Sequence, residues 1–113
     1  MIIIDLYETD KKDYFMDIDG NAYSTKLDRI YKLKKSRQKN GYEVITVVIN
    51  GKKENVLIHR LMGNAHLGLD LKSKMQMNHI NKIRHCNELS NLEVVTPRQN
   101  VLHSFGHKDY KCM

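Results

Sequence analysis

The pattern of apolar and polar residues predicts that the first half of this chain forms two β-hairpins. Short strand patterns are separated by turn signals, Asp19-Gly20-Asn21 in the first case and Asn50-Gly51 in the second. Residues 42–50 give the clearest strand pattern because they are rich in β-branched side chains. The predicted strands cover residues 14–18, 22–25, 42–50 and 54–58.

From Ile58 onward the pattern changes to helical spacing. Ile58, Leu61, Met62 and Ala65 recur every three or four residues, which predicts a helix that ends near Leu69. A polar loop follows this helix. The remaining predicted elements are strands over residues 77–80 and 91–95 and a helix that starts within residues 96–100.

Composition and charge narrow the possible functions. A chain of 113 residues has the length of one domain, and 41% hydrophobic with 28% charged residues is ordinary for a soluble globular protein. The net charge of +6 and the pI of about 9.3 favour an anionic partner, most often nucleic acid. Plain solubility is the alternative explanation of the same charge.

Cysteine content and the N-terminus give further expectations. Cys86 and Cys112 are too few for a disulfide framework, and the chain has no pair of cysteines at zinc-ribbon spacing. The apolar run of residues 1–4 meets Asp5 at once, which makes it too short for a signal or transmembrane segment. We therefore expect a cytoplasmic protein without a membrane partner.

Positive charge is concentrated in residues 26–39, which we call the basic segment. It contains seven Lys or Arg residues against one Asp, with Tyr31 interleaved. Such a segment is typical of contacts to a DNA backbone, whose phosphates it would neutralise. A solvated loop is the alternative. The residues expected to contact DNA here are Lys32, Lys34, Lys35 and Arg37.

Residues 75–103 contain the most specific pattern in the chain. His79 lies in the first predicted strand, Asn91 opens the second strand 12 residues later, and Asn100 follows after another 9 residues on the predicted helix. This order of strand, loop, strand and helix resembles the HNH nuclease motif. The resemblance implies a ββα-metal core, also called a His-Me finger, that hydrolyses a DNA phosphodiester with one metal ion and one histidine.

The resemblance implies roles for three polar residues. His79 would be the general base, because a neutral imidazole can accept a proton from water near neutral pH. Asn78 and Asn100 would bind Mg²⁺ or Mn²⁺ through oxygen atoms, the ligands that hard cations prefer. Many relatives carry Asp where this chain has Asn78, so we expect weak metal binding. The alternatives are a structural histidine in a strand and, for Asn100, a solvated helix residue.

Two further residues complete the expected site. Asn91 would tie the loop between the strands and thereby orient His79, although an Asx turn that closes the loop is almost the same arrangement. His103 lies three residues after Asn100 on the same helical face and could contact the metal or the phosphate. A solvated histidine at that position is equally compatible with the pattern.

The N-terminal half also resembles a known module. Its strand pair, the basic segment and the run from Gly41-Tyr42 through Asn50-Gly51 to Ile58-His59 are similar to the module that often precedes HNH motifs in phage and intron-borne homing endonucleases. We therefore expect an α+β fold with two parts. Residues 1–55 would form a β-rich module that contacts DNA, and residues 56–113 would form the HNH core.

The function we expect is a metal-dependent endonuclease that nicks one strand of double-stranded DNA, and the resemblance alone implies that a phage or mobile element encodes it. The rival is a binding protein that keeps the HNH scaffold but occupies DNA or an acidic protein partner, such as a host-defence protein. A zinc-structured domain is disfavoured because the His and Cys spacings match no common site. Further expected DNA contacts are Arg60, Lys82, Arg84 and Arg98, whereas His59 is expected to pack.

Overall fold

A computed structural model describes the backbone of residues 5–105 and the side chains of residues 5–101. The described part contains nine strands, two α-helices and a 3₁₀ turn over Leu89–Asn91. The helices are α1 (Ile58–Leu67) and α2 (Pro97–Phe105). The strands are β1 (Tyr7–Glu8), β2 (Tyr14–Met16), β3 (Ala22–Ser24), β4 (Tyr31–Lys32), β5 (Ser36–Arg37), β6 (Glu43–Ile49), β7 (Lys52–Leu57), β8 (Gln76–His79) and β9 (Leu92–Val95).

The strands form three antiparallel sheets, and the predicted α+β class is confirmed. The first sheet has the order β1-β2-β3-β4, the second β5-β6-β7, and the third contains β8 and β9 alone. Both predicted hairpins are present as the β2–β3 and β6–β7 pairs. The basic segment is not a plain loop, because it supplies the edge strands β4 and β5 and connects the first two sheets.

The β6–β7 hairpin turns as its sequence requires. Ile49 pairs with Lys52, which leaves Asn50 and Gly51 as a two-residue turn. Their φ angles of 52° and 77° both lie in the left-handed region, where Asn and Gly are the residues that a tight hairpin prefers. The turn sets the register of the longest strand pair, and α1 follows directly from its second strand.

Helix α1 is the centre of the hydrophobic core. Its residues Ile58, Leu61 and Met62 are fully buried, as the helical spacing predicts. Gly63 faces β8, where a Cβ atom would lie 2.5 Å from the sulfur of Met77, so glycine permits the close approach of helix and strand. Neither helix of the described residues is long and apolar enough to cross a membrane.

The core extends across the predicted boundary at residue 55. It includes Met16 and Ile45 from the first part and Leu61 and Met77 from the second. The boundary itself falls inside β7, which continues into α1 without a linker. The division into two sequence modules stays a prediction, but in the folded chain their side chains share one core.

The turn of the first hairpin packs against the loop between β8 and β9, which we call the β8–β9 loop (residues 80–91). Gly20 has a φ of 87°, and a Cβ atom on it would lie 2.8 Å from both the Cβ and the carbonyl oxygen of Asn87. Beside this contact, the N–H of Leu89 donates to the carbonyl of Ile18 at 2.9 Å. The N-terminal sheet therefore supports the β8–β9 loop directly.

This contact predicts that Gly20→Ala is more destabilising than Gly51→Ala. Both glycines have left-handed φ angles, which cost an L-residue about 1–2 kcal/mol. Only Gly20 also meets backbone and side-chain atoms, which we expect to add about 1–3 kcal/mol, because no atom lies within 4 Å of a Cβ on Gly51. Urea unfolding of the two variants measures the difference. Equal losses in the free energy of unfolding would contradict the packing described here.

Candidate active site

One open cavity brings together most of the residues that the HNH resemblance selected. Its volume is about 230 Å³, and Asn78, His79 and Asn100 line it together with the basic residues Lys82 and Arg84. Asn78 and His79 end β8, Asn100 lies on α2, and the two basic residues lie on the β8–β9 loop. Residues that are distant in sequence thus face one space.

His79 is held in a fixed and largely dry environment. Only 6% of the residue is exposed, and its Nε2 atom lies 2.8 Å from Oδ1 of Asn87. Burial lowers the pKa of His79, and the nearby Arg84 and His85 add to this effect. The hydrogen bond to Asn87 opposes it without reversing it. The imidazole is therefore neutral at pH 7, which is the form that can accept a proton.

Asn78 and Asn100 are each held through the amino group of the side chain. Nδ2 of Asn78 donates to Oε1 of Glu93 at 2.9 Å, and Nδ2 of Asn100 donates to Oε1 of Gln76 at 2.6 Å. Each amide is thereby oriented by its donor side, which leaves Oδ1 for another ligand. Two amide oxygens on one cavity fit a hard divalent cation that keeps waters and binds phosphate oxygens.

Glu93 supplies the negative charge that Asn78 lacks. The two residues are direct partners across the β8–β9 pair, so the carboxylate lies beside the expected metal ligand. We had expected weak metal binding because residue 78 is an amide. A neighbouring carboxylate lowers that cost, since its field favours a cation in the cavity even without direct coordination.

The α2 helix is placed by its first turn. Thr96 precedes the helix, and its Oγ1 accepts the N–H of Gln99, while Oε1 of Gln99 accepts the N–H of Thr96. This reciprocal pair is a capping box, and Pro97 at the first helical position suits it. The cap fixes the start of α2 and with it the position of Asn100 over the cavity. The side chain of His103 lies outside the described residues, so its expected role stays a prediction.

Asn91 is fully buried and closes the β8–β9 loop on itself. Its Oδ1 accepts the N–H of Asn81 at 3.0 Å, and its Nδ2 donates to Oδ1 of Asn81 and to the carbonyl of Cys86. Its backbone carbonyl accepts the N–H of Ile80. These contacts hold both ends of the loop together next to His79. The orientation of the general base by this residue remains a prediction.

His59 lies against the general-base candidate. Its ring stacks on Tyr42 with centroids 4.9 Å apart, and it lies 5.1 Å from the ring of His79. Nδ1 of His59 is buried and has no hydrogen-bond partner among the described residues. Burial, assisted by His79 and Arg60, lowers the pKa of His59 to about 3. His59 is therefore a neutral, tightly packed ring that contacts the site.

The expected DNA contacts near the core separate into two kinds. Lys82 and Arg84 lie on the cavity, and Arg84 also covers the face of Tyr42 and donates to the carbonyl of Asn40. Arg98 is exposed on α2. Arg60 is different, because its guanidinium donates to three carbonyls in the loop after α1. Arg60 therefore holds that loop, and its expected contact with a phosphate stays a prediction.

In the basic segment, three of the four expected contacts are available to a ligand. Lys32 is exposed on β4, Lys34 on the connection after it, and Arg37 on β5. The fourth, Lys35, is partly buried, with Nζ 3.4 Å from the carbonyl of Gly20 and 3.6 Å from Oε1 of Glu43. Its ammonium group therefore already contacts the fold at two points, and its expected contact with DNA stays a prediction.

Several residues of the site were not selected from the sequence. Glu93 could have been found from the strand register, because it opposes Asn78. Asn87, Glu43 and Tyr42 carried no local signal, since their contacts join parts of the chain that are far apart in sequence. Among the described residues, no three His, Cys, Asp or Glu side chains cluster as a metal site.

Comparisons with known proteins find similarity to HNH endonucleases. Residues 56–102 match the family model described as HNH endonuclease. The chain is 38% identical over 78 residues to YosQ, an SPbeta prophage-derived protein of Bacillus subtilis (strain 168) that is named as a putative HNH homing endonuclease. It is 28% identical over 91 residues to the uncharacterized HNH endonuclease L245 of Acanthamoeba polyphaga mimivirus.

A solved structure shows the same fold. It concerns DNA binding and cleavage by the HNH homing endonuclease I-HmuI, and it matches 92% of this chain with a TM-score of 0.74 and 25% identity. The chain spans 61% of that protein, 44% of YosQ and 27% of L245. The alignment with YosQ covers 65% of this chain and that with L245 covers 80%. The resemblance to HNH and homing endonucleases is thus confirmed.

The burial of His59 predicts a pH dependence of stability. Its pKa in the folded state, about 3, lies below the ordinary value of 6.5, so the unfolded chain binds more protons below pH 6.5. The free energy of unfolding should therefore fall as the pH falls, by up to about 2 kcal/mol between pH 7 and pH 5 from this residue.

Two variants test the assignment of this pH dependence. His59→Phe keeps an aromatic ring but cannot be protonated, and it should reduce the loss of stability between pH 7 and pH 5. His85→Phe is the matched control, because His85 is exposed. Urea unfolding at both pH values measures the effect. A pH dependence unchanged in His59→Phe would show that His59 is not the group responsible.

Proposed function

We propose that this chain, which resembles HNH homing endonucleases over most of its length, is a metal-dependent nuclease that nicks one strand of duplex DNA. The observation that carries the proposal is the one cavity that Asn78, His79 and Asn100 line together, with a neutral imidazole and two amides whose amino groups are held by neighbouring side chains. The relatives named as HNH endonucleases support an endonuclease.

The chemistry assigned to His79 is the removal of a proton from the attacking water. Its imidazole is neutral at pH 7 and is held by Asn87, which supports the role of a general base. The resulting hydroxide would attack the phosphorus, the bond to the 3′ oxygen would break, and that oxygen would take up a proton from water. Mg²⁺ or Mn²⁺ held by Oδ1 of Asn78 and of Asn100 would supply charge stabilisation for the phosphate and the leaving oxygen.

The basic residues would hold the DNA in two places. Lys82 and Arg84 lie on the cavity and suit the phosphates next to the cut site. Lys32, Lys34 and Arg37 extend from the edge strands of the N-terminal half and suit phosphates farther along the duplex. One cavity of this size accommodates one scissile phosphate, so one binding event would cut one strand.

The relatives suggest the setting in which the protein acts. One relative is from a mimivirus, and the other is named as a prophage-derived putative HNH homing endonuclease. We propose that this chain is likewise encoded by a phage or mobile element and acts on DNA in the cytoplasm of the host cell.

The direct test is cleavage of supercoiled plasmid with and without Mg²⁺ or Mn²⁺. Open-circular product should form only with metal, and His79→Ala should reduce its rate by about 10²–10⁴-fold because the general base is removed. His85→Ala is the control, since His85 is an exposed histidine of the same loop. DNA binding without any metal-dependent cleavage by the wild-type chain would instead favour the rival, a binding protein on an HNH scaffold.

The role of the basic segment can be tested by measuring DNA affinity across a salt series. The triple variant Lys32→Ala/Lys34→Ala/Arg37→Ala should bind all duplexes more weakly. Its slope of log affinity against log salt should be shallower by roughly 0.9 for each phosphate that the protein no longer neutralises. Lys52→Ala/Lys53→Ala/Lys72→Ala removes the same charge from other positions of the described surface. If both triple variants have the same slope, the basic segment acts only through the net charge of the protein.

A further inference from the structure

A chain of three side chains, two of them buried and one largely buried, leads from the N-terminal half to the general-base candidate. Oε1 of Glu43, on β6, accepts a hydrogen bond from Nδ2 of Asn87 at 3.0 Å, and Oδ1 of Asn87 lies 2.8 Å from Nε2 of His79. Asn87 is 3% exposed, His79 is 6% exposed, and the side chain of Glu43 is 13% exposed. We call this the Glu43–Asn87–His79 chain.

The carboxylate at one end determines every hydrogen position in the chain. An ionised carboxylate only accepts hydrogen bonds, so the amide of Asn87 must turn its amino group toward Glu43. Its carbonyl oxygen then faces His79, and an oxygen in that place accepts only from an N–H. The proton of the neutral imidazole therefore resides on Nε2. The orientation follows from Glu43 and not from an arbitrary choice between the two ends of the amide.

The proton on Nε2 makes Nδ1 the basic atom of the ring. A neutral imidazole carries one N–H, so the other nitrogen has a lone pair. Nε2 is occupied by Asn87, and no hydrogen bond to Nδ1 exists among the described residues. If the order of hydrogen bonds were reversed, the lone pair would point at Asn87, and the ring could not accept a proton from water.

The contacts around Asn87 indicate that its amide is not needed to close the β8–β9 loop. Asn91 joins Asn81 and Cys86, and Leu89 bonds to Ile18. The two described hydrogen bonds of the Asn87 side chain both belong to the Glu43–Asn87–His79 chain.

Two contacts from the first half hold the Glu43–Asn87–His79 chain in place. Nζ of Lys35 lies 3.6 Å from Oε1 of Glu43, which offsets the cost of a largely buried carboxylate. Gly20 packs on Asn87, where any side chain would collide with it. Lys35, expected from the sequence to contact DNA, thus pairs with Glu43 in the folded chain.

From this geometry we infer that Glu43 and Asn87 are positioning residues that keep the proton of His79 on Nε2 and leave Nδ1 to accept the proton of the attacking water. The inference deepens the proposed function and rests on it for the role of Nδ1. The position of the proton itself is independent of cleavage and can be measured without metal or DNA.

The first measurement is the ring ¹⁵N spectrum of His79 in the full chain at pH 8, identified by comparison with His79→Ala. We expect a single tautomer with hydrogen on Nε2. Asn87→Leu removes the oxygen that accepts from Nε2. The neutral ring should then carry its proton on Nδ1 more often, because an N–H at Nε2 buried without an acceptor is costly. A wild-type ring with its proton on Nδ1 would overturn the inference, as would a folded Asn87→Leu protein with an unchanged tautomer.

The second measurement compares three variants in plasmid cleavage. Asn87→Leu should lower kcat by about 10–100-fold with KM for DNA nearly unchanged, as expected for a residue that acts through another. Glu43→Leu should act in the same direction. Glu43→Gln, whose amide oxygen can still accept from Asn87, should restore most of the rate. Glu43→Gln as impaired as Glu43→Leu would overturn the role of Glu43 as a hydrogen-bond acceptor.

These outcomes separate the inference from the proposed function. If the wild-type chain does not cleave DNA while His79 carries its proton on Nε2 and gives it up in Asn87→Leu, the nuclease proposal fails and the assignment of the proton stands. If the wild-type chain cleaves DNA but the tautomer and kcat do not respond to Asn87→Leu, the nuclease proposal stands and the inference fails.

Discussion

The arrangement of this site depends on one buried amide. Asn91 has no exposed surface, and its side chain joins the N–H of Asn81 to the carbonyl of Cys86 across the β8–β9 loop. Leaving such a buried group without its partners would cost about 1–3 kcal/mol for each missing hydrogen bond, so the loop has essentially one way to close. That closed loop carries Asn87 to His79 at one end, and Lys82 and Arg84 to the rim of the cavity.

The closed loop is also the surface on which the N-terminal half rests. Gly20 and Ile18 contact it from the first hairpin, and Glu43 reaches it from β6. Apart from these contacts, apolar residues of both sequence modules pack in one hydrophobic core. A ββα unit alone is small and buries little apolar surface by itself, and the additional sheets supply packing that such a unit lacks. The N-terminal half therefore supports the candidate active site, whatever it contributes to DNA binding.

The sequence predicted those features that arise from local patterns. Both hairpins, α1 and the positions of Asn78, His79 and Asn100 follow from spacing, turn residues and the HNH resemblance. Contacts between distant segments could not be predicted, and the bond between Glu43 and Asn87 spans 44 residues.

The internal contacts of charged side chains could not be predicted either, because a positive residue in a sequence does not reveal what its end group contacts. Arg60 was expected to bind phosphate but holds three carbonyls of its own chain. Lys35 pairs with Glu43. In both cases a flexible aliphatic side chain lets the charged group reach a partner inside the fold. The pattern of hydrophobic residues does not predict such a contact.

The expected metal ligands and the expected base in the cavity are all neutral groups. The expected ligands are two amides, the base is a neutral imidazole, and Glu93 provides the nearby negative charge. Two amide oxygens bind a divalent cation more weakly than carboxylates do, so phosphate oxygens would have to provide much of the coordination. Under the proposed function, metal and DNA would then bind cooperatively, and the protein without DNA would hold its metal loosely. The metal ion and the phosphate would then occupy the site together, with Lys82 and Arg84 attracting the phosphate.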